Sequence, residues 1–282
     1  MNKIPKILHL YWDNSPMSAL QVVTVTSFHE LNPDWEINVY QPKQEYVGQE
    51  SYVPMYTGKD YFNLVRELPF VNIKEIDLDD FGIDSRLHNI LRSDIFRYHI
   101  LYRYGGVWSD FDVIWVKPMV QMLHLPILGR CRLEEMESAV CLYKYSYGFH
   151  NISIMLSSVG CSFIKSLIDE CNRIQEDMEI STLEHQSFGT SMLNGLYETI
   201  YDVIRRFPKV VGLAYKTFYP YSINRLRDLY VNAYPERITK NVMAIHWFNG
   251  HDLSQEYAHG GLRNYRSSLN IILKNKGICL GN

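Results

Sequence analysis

Residues 87–118 read LHNILRSDIFRYHILYRYGGVWSDFDVIWVKP, and the change of period inside this stretch sets the fold class. Leu87, Ile90, Leu91, Ile95, Tyr98, Leu101 and Tyr102 recur at three and four residues and form one apolar helical stripe. Asp94 falls inside that stripe, with Arg97 one turn on. A carboxylate on a core-facing stripe is costly unless it is paired, hydrogen-bonded or at the mouth of a pocket. Taken alone, the two residues read as an ordinary i,i+3 ion pair. Gly105 and Gly106 stop the helix, because glycine reaches a left-handed C-cap without a Cβ penalty. Val107–Val116 is rich in aromatic and branched residues and reads as a strand. If it stays extended, the two-residue period puts Asp110 and Asp112 on one side. Close carboxylates repel unless a cation sits between them, and oxygen ligands suit a hard divalent ion such as Mg²⁺ or Mn²⁺. An isolated D-x-D is equally what two solvated aspartates at a strand end look like.

The neighbours of that D-x-D narrow the choice. Ser93-Asp94, Arg97-Tyr98, Leu101-Tyr102, Tyr104-Gly105-Gly106-Val107 and Asp110-Phe111-Asp112-Val113 together resemble the sugar-nucleotide-binding region of the D-x-D glycosyltransferases. The nearest groups are the family 32 and capsular polysaccharide transferase type, with the large clostridial glucosylating toxins more distant. The resemblance implies a GT-A fold, an α/β architecture with a Rossmann-like, mostly parallel sheet flanked by helices. It implies a single domain over 1–282, with a nucleotide-sugar-binding half at 1–120, an acceptor-side half carrying a metal-closing motif at 121–256, and a C-terminal helix and tail at 257–282.

The order of elements fits an α/β chain on its own terms. Lys6–Trp12 reads as a buried first strand. Ser15-Pro16 supplies an N-cap with proline at the first helical position, and a helix follows to about Leu31, where Asn32-Pro33 closes it. The Val22–Thr26 run favours strand, but Leu20, Val23, Ser27, Phe28 and Leu31 keep helical spacing. Trp35, Ile37 and Val39 alternate as a second strand. Strand, helix, strand is a βαβ unit, hence a parallel sheet with a right-handed crossover. It has no glycine-rich loop, so neither a dinucleotide-oxidoreductase site nor a P-loop is supported. Gln41–Arg86 is polar and broken by Pro42, Gly48, Pro54, Gly58 and Pro69, with a helix expected around Asp60–Glu67 and a strand near Val71–Ile76. Asp77, Asp79, Asp80 and Asp84 lack the EF-hand pattern and read as a solvated turn. Beyond Pro118, Ile127-Leu128, Ala139–Tyr143 and Ile152–Leu156 read as strands, and Phe163–Ile174 reads as a helix.

The length of 282 residues suits one large domain with a sizeable core. A net charge of −3 leaves no electrostatic footprint for nucleic acid. No apolar run approaches the ~20 residues of a membrane helix, and the start MNKIPKILHLYW lacks the core and cleavage site of a signal peptide. The expected location is cytoplasmic, with room for peripheral contact at the inner face of a membrane. Five cysteines, odd in number and without C-x-x-C spacing, read as reduced core residues.

The resemblance also assigns roles. Trp12, at the end of an opening strand like the family's, stacks on the nucleotide base. Asp94 accepts from ribose or donor-sugar hydroxyls, and Arg97 pairs with the diphosphate or orients Asp94. Asn151 and the Gly189-Thr190 turn fall near the donor, although the family's proline is absent from that turn. Phe218-Tyr219-Pro220 and Ala244-Ile245-His246-Trp247 match C-terminal signatures, which adds Trp247 to the donor side. The metal is expected on Asp110 and Asp112, closed by His246, with Asn249 and Asp252 as alternates; a nitrogen ligand favours Mn²⁺ over Mg²⁺. Gly260-Gly261 is a candidate hinge for a lid. The implied function is retaining transfer of a sugar from a nucleotide-diphosphate donor, UDP-sugar before GDP-mannose, to a glycan or lipid-linked acceptor in polysaccharide biosynthesis. The rival readings are a non-catalytic nucleotide-sugar binder and a metal-dependent phosphohydrolase.

Overall fold

A computed structural model describes residues 4–13, 15–44, 56–142, 148–149, 151–177 and 179–280. The readings at Gly48, Pro54 and Tyr143, and of the last two residues of the tail, fall outside the described residues. Ten strands follow in chain order: β1 Ile7–Tyr11, β2 Glu36–Pro42, β3 Val71–Ile76, β4 Gly106–Ser109, β5 Val113–Trp115, β6 Ile127–Leu128, β7 Ser138–Leu142, β8 Ile154–Ser157, β9 Val210–Ala214 and β10 Ala244–His246. Eight of them build one mixed sheet in the order β3-β2-β1-β4-β8-β7-β9-β6, and β5 pairs with β10 in a separate two-stranded sheet. In the large sheet only β8 and β6 run against the other strands. The architecture is therefore the mostly parallel α/β sheet flanked by helices that the sequence implied, in one domain.

The βαβ reading is borne out: β1 and β2 are parallel, with Leu8 opposite Ile37 and Leu10 opposite Val39. Helix Ala19–Leu31 connects them, but its start corrects the expected cap. Ser18, rather than Ser15, closes a capping box with Gln21. The strand-favouring residues in this helix serve the strand beside it. Thr24 Oγ1 donates to the Phe111 carbonyl at 2.6 Å and accepts from the Val113 N–H at 3.3 Å, and Ser27 Oγ accepts from the Trp115 N–H at 3.0 Å.

Helix Asn89–Tyr104 is buried on more than the predicted stripe. Leu91, Ile95, Tyr98 and Leu101 are joined inside by Arg92, Phe96, Arg97 and Ile100, because helix Ser162–Asp177 covers the side that the sheet leaves open. One core cluster lies on this face, a second lies on the face covered by helix Ala19–Leu31, and a third forms a C-terminal layer around Ile114, Ile245, Trp247 and Leu269. That layer includes helices Asp252–Ala258 and Ser268–Asn275, the second of them inside the C-terminal helix-and-tail segment 257–282.

A second correction concerns the site directly. Val107–Val116 is not one strand. It breaks after Ser109 and resumes at Val113, β4 pairing with β1 and β8 while β5 pairs with β10. Asp110, Phe111 and Asp112 occupy the break. The two aspartates therefore do not owe their proximity to the alternation of one extended strand.

Candidate active site

β1 has β2 on one side and β4 on the other, so the chain reverses its direction of winding there. A crevice opens outside the carboxyl ends of such strands, the usual ligand position in open α/β sheets. Trp12 leaves β1 at this end and Asp110 leaves β4.

Gly105 and Gly106 make the approach to Asp110 tight. At Gly106, with φ +97°, a Cβ would stand 2.5 Å from the Ile7 carbonyl oxygen, so only glycine lets β4 enter beside β1. At the far end of β4, the Asp110 N–H donates to the Ser153 carbonyl at 2.9 Å, and Trp108 Nε1 donates to Asp110 Oδ1 at 2.8 Å. Asn151 supports this contact from behind: its Oδ1 accepts from the Ser153 N–H at 2.7 Å and from Ser153 Oγ at 2.6 Å. Asn151 thus reaches Asp110 through Ser153. Trp108 and Ser153 had been overlooked in the sequence; the only signal was that Trp108 shares the strand face of Asp110.

Asp94 and Arg97 meet Asp110 from the helix. The Arg97 guanidinium donates to Asp94 Oδ1 and to the Ile152 carbonyl, each at 2.5 Å, and lies 3.4 Å from Asp110 Oδ1. It also sits over the Trp108 ring, 5.1 Å from its centroid. The i,i+3 ion pair expected from the sequence forms, but it is buried rather than ordinary: Asp94 is 5 % and Arg97 3 % exposed. Burial pushes the Asp94 carboxyl up to about 7; Arg97 opposes the rise and Asp110 adds to it. One guanidinium serves two carboxylates here. It sets their orientation, with both terminal nitrogens already engaged. Gly189 closes the floor, since a Cβ there would stand 2.8 Å from Gln186 Oε1 and 3.3 Å from Asp94 Oδ2. Thr190 opens helix Thr190–Leu196, with its N–H on Gln186 Oε1 at 3.1 Å.

The C-terminal layer completes the cluster. β10 delivers His246 opposite Val113, and ligand atoms of Asp110, Asp112 and His246 all lie within 4.8 Å of one another. His246 Nε2 is 3.0 Å from Asp112 Oδ1. That approach is not aligned as a hydrogen bond, and Oδ1 is buried with no other partner among the described residues. Two donors of one octahedral ion bound at about 2.1 Å stand roughly 3 Å apart. The orphaned oxygen, its distance to the imidazole and the O,O,N donor set therefore fit a divalent cation. Burial raises the Asp112 carboxyl, but His246 beside it and the Asn249 N–H outweigh burial and hold it below the usual carboxylate range. Under the cluster, Tyr219 is fully buried with its ring 5.0 Å from that of His246.

The remaining expected residues fall in different places. Trp12 is half-buried, edge-on to Phe111 at 5.2 Å, with Nε1 donating to the Ser15 carbonyl at 2.9 Å. Trp247 is fully buried in the C-terminal core. It meets the site through its backbone, its N–H donating to the Asp112 carbonyl at 2.9 Å, so its ring offers no surface to a ligand. Asn249 contributes its N–H to Asp112 Oδ2 at 2.9 Å, while its Oδ1 accepts from Gln255 at 3.1 Å. Asp252 begins a helix and lies outside the metal-ligand cluster.

Parts of the chain are similar to known proteins. Residues 19–129 match the family model described as the glycosyltransferase sugar-binding region containing the DXD motif. Inositol phosphoceramide mannosyltransferase 3 of Schizosaccharomyces pombe is 28 % identical over 123 residues, 44 % of this chain and 28 % of that protein. Subversion of eukaryotic traffic protein A of Legionella pneumophila is 24 % identical over 178 residues, 59 % of this chain and 25 % of that protein. The chain thus spans only about a quarter of the length of these relatives. Among solved structures, the galactosyltransferase LgtC in complex with donor and acceptor sugar analogues superposes with a TM-score of 0.48 at 12 % identity, over 95 % of this chain and all of that one. The family match is confined to residues 19–129, which hold Asp94, Arg97, Asp110 and Asp112.

Proposed function

We propose that the protein is a metal-dependent glycosyltransferase that moves a sugar from a nucleoside-diphosphate donor to a glycan or lipid-linked acceptor with retention of configuration. The observation that carries this reading is the convergence of Asp110, Asp112 and His246 at the carboxyl ends of β1 and β4, beside a buried Asp94–Arg97 pair. A divalent ion held by these three side chains would neutralise the charge that grows on a nucleoside-diphosphate leaving group. Trp12 would flank the base. Asp94 faces the floor at Gly189, where Oδ2 is positioned to accept from a donor hydroxyl. Arg97 keeps Asp94 and Asp110 apart by binding both. The reading carries same-face attack, with the leaving phosphate taking the acceptor proton. A UDP-sugar is the favoured donor. GDP-mannose comes second, and two curated relatives are named for mannosyl transfer to inositol phosphoceramide. A lipid-linked acceptor would bring the protein to a membrane surface; among the described residues no helix is long and apolar enough to cross one.

The test is a thermal-shift panel of UDP-sugars and GDP-mannose, each with and without Mn²⁺, on wild type and Asp112→Ala, followed by transfer assays with the donor that binds. A donor that binds only the folded state raises the melting point with its occupancy. The reading requires one donor to shift wild type only with metal present, and Asp112→Ala to lose the shift. Binding without transfer to any added acceptor would move the assignment to a nucleotide-sugar binder, and phosphate release from simple esters would move it to a phosphohydrolase.

A further inference from the structure

Asp112 is fixed by backbone, and that backbone is itself held by a side chain so far without a role. The Trp247 N–H donates to the Asp112 carbonyl and the Asn249 N–H to Asp112 Oδ2, both at 2.9 Å. Between them Phe248 adopts φ +56°, a left-handed conformation that costs a residue with a Cβ and is rare for phenylalanine. This turn aims the Asn249 N–H back at the carboxylate. It persists only if the surroundings hold it there. Part of the hold is the Phe248 ring, packed edge-on to His246 at 4.4 Å. The rest comes from helix Asp252–Ala258. Gln255 Nε2 donates to the Asn249 carbonyl at 2.6 Å and to Asn249 Oδ1 at 3.1 Å, and Ser254 Oγ donates to the Trp247 carbonyl at 2.8 Å.

Gln255 is a poor choice for stability alone. Its residue is 8 % exposed, and its Oε1 is buried with no partner among the described residues. A buried acceptor left without a hydrogen bond is destabilising, a cost that an apolar residue of the same volume would avoid. What the amide supplies, and an apolar residue does not, is a two-point hold on the residue that grips Asp112.

We propose that Gln255 is a positioning residue for the metal ligand Asp112, acting through the left-handed Phe248–Asn249 turn. It keeps Oδ2 on the Asn249 N–H, so that Oδ1 stays presented beside His246 Nε2 for a divalent cation. The proposal rests on the reading of Asp110, Asp112 and His246 as a metal site.

The experiment titrates Mn²⁺ alone into the full chain and follows free Mn²⁺ by electron paramagnetic resonance. The proteins are wild type, Asp112→Asn, Gln255→Leu, Gln255→Glu and Asn270→Ala, with Tm measured for each. Gln255→Leu is expected to weaken Mn²⁺ binding by about tenfold or more, the usual effect of removing a partner behind a metal ligand. Gln255→Glu, isosteric but turning a carboxylate on two acceptor oxygens of Asn249, weakens it further and decides the matter if Gln255→Leu does not fold. Asn270→Ala removes an amide that ties the carbonyls of Arg263 and Tyr265 within the same layer; it lowers Tm and leaves Mn²⁺ affinity unchanged. If both Gln255 variants bind Mn²⁺ as wild type does while Asp112→Asn does not, the positioning role is overturned and the metal site stands. An Asn270→Ala loss as large as that of Gln255→Leu also overturns it, because the effect is then general loosening. Mn²⁺ binding that is absent from wild type, or unaffected by Asp112→Asn, overturns the site itself.

Discussion

His9 is a buried titratable group with both ring nitrogens engaged. Its Nε2 bonds the Gly105 carbonyl at 2.8 Å and its Nδ1 bonds the Tyr40 hydroxyl at 2.9 Å, a pairing that fits the neutral ring with Nε2 donating and Nδ1 accepting. Burial lowers its pKa to about 4, against the raising effect of the Gly105 bond. The unfolded chain then binds a proton that the folded one refuses between pH 6.5 and about 4. Stability from this residue is full above pH 6.5 and is lost as pH falls through that window, by up to about 3 kcal/mol. Urea unfolding of His9→Asn should show a shallower loss across the same window than wild type, and parallel curves would remove His9 from the account. Arg97 is the second decisive residue. Arg97→Lys keeps the charge but not a planar fork able to serve Asp94, Asp110 and the Ile152 carbonyl together. Breaking such a buried arrangement typically costs about 3–5 kcal/mol. The variant should lose that stability in urea titrations and lose donor binding with it, and retention of wild-type Tm would show that the guanidinium geometry is not required.

At the scale of elements, the D-x-D turn is fastened on both sides by neighbours distant in sequence. Thr24 and Ser27 of helix Ala19–Leu31 bond the backbone of Phe111, Val113 and Trp115, where β5 has only β10 as a strand partner among the described residues. Thr24→Val preserves side-chain shape and helix backbone but strips the Phe111 carbonyl and the Val113 N–H of a buried partner. The expected cost is about 1–3 kcal/mol, accompanied by weaker Mn²⁺ binding, because Asp112 lies between the two freed groups. A Thr24→Val protein with lower Tm and unaltered Mn²⁺ affinity would show that the turn is rigid without the helix. This arrangement also explains what the sequence made legible and what it did not. The Val22–Thr26 run looked like strand because its hydroxyls and branched side chains suit strands; in the fold it sits on a helix, where the Thr24 hydroxyl serves the strand beside it and the Thr26 hydroxyl bonds the helix's own carbonyls. The break within Val107–Val116 was hidden for a related reason. Every residue on both sides of Asp110–Asp112 has strand character, and only pairing with β10, some 130 residues on, separates β5 from β4.

For the whole molecule, local signals carried the first half of the fold and non-local pairing carried the rest. β1, β2, β3 and the helix ending at Gly105 follow from period, caps and glycines within a few residues. β9 lies between β7 and β6, in a place that nothing near Val210–Ala214 announces, and Trp108 and Ser153 reach Asp110 by contacts that no spacing rule contains. The metal cluster has the same mixed origin, with Asp110 and Asp112 at the break beside the main sheet and His246 on a strand of the C-terminal layer. A cation bound there would tie that layer to the large sheet, so its effect on stability should be global. At a free Mn²⁺ concentration one hundred times Kd the gain is about 2.7 kcal/mol. Wild type should therefore melt higher with Mn²⁺ than after treatment with chelator, and amide exchange should slow together in 110–116 and 244–249. His246→Gln should melt at one temperature with or without the ion. If His246→Gln keeps the full Mn²⁺-dependent rise, the third ligand lies elsewhere and the C-terminal layer is held to the sheet by packing alone.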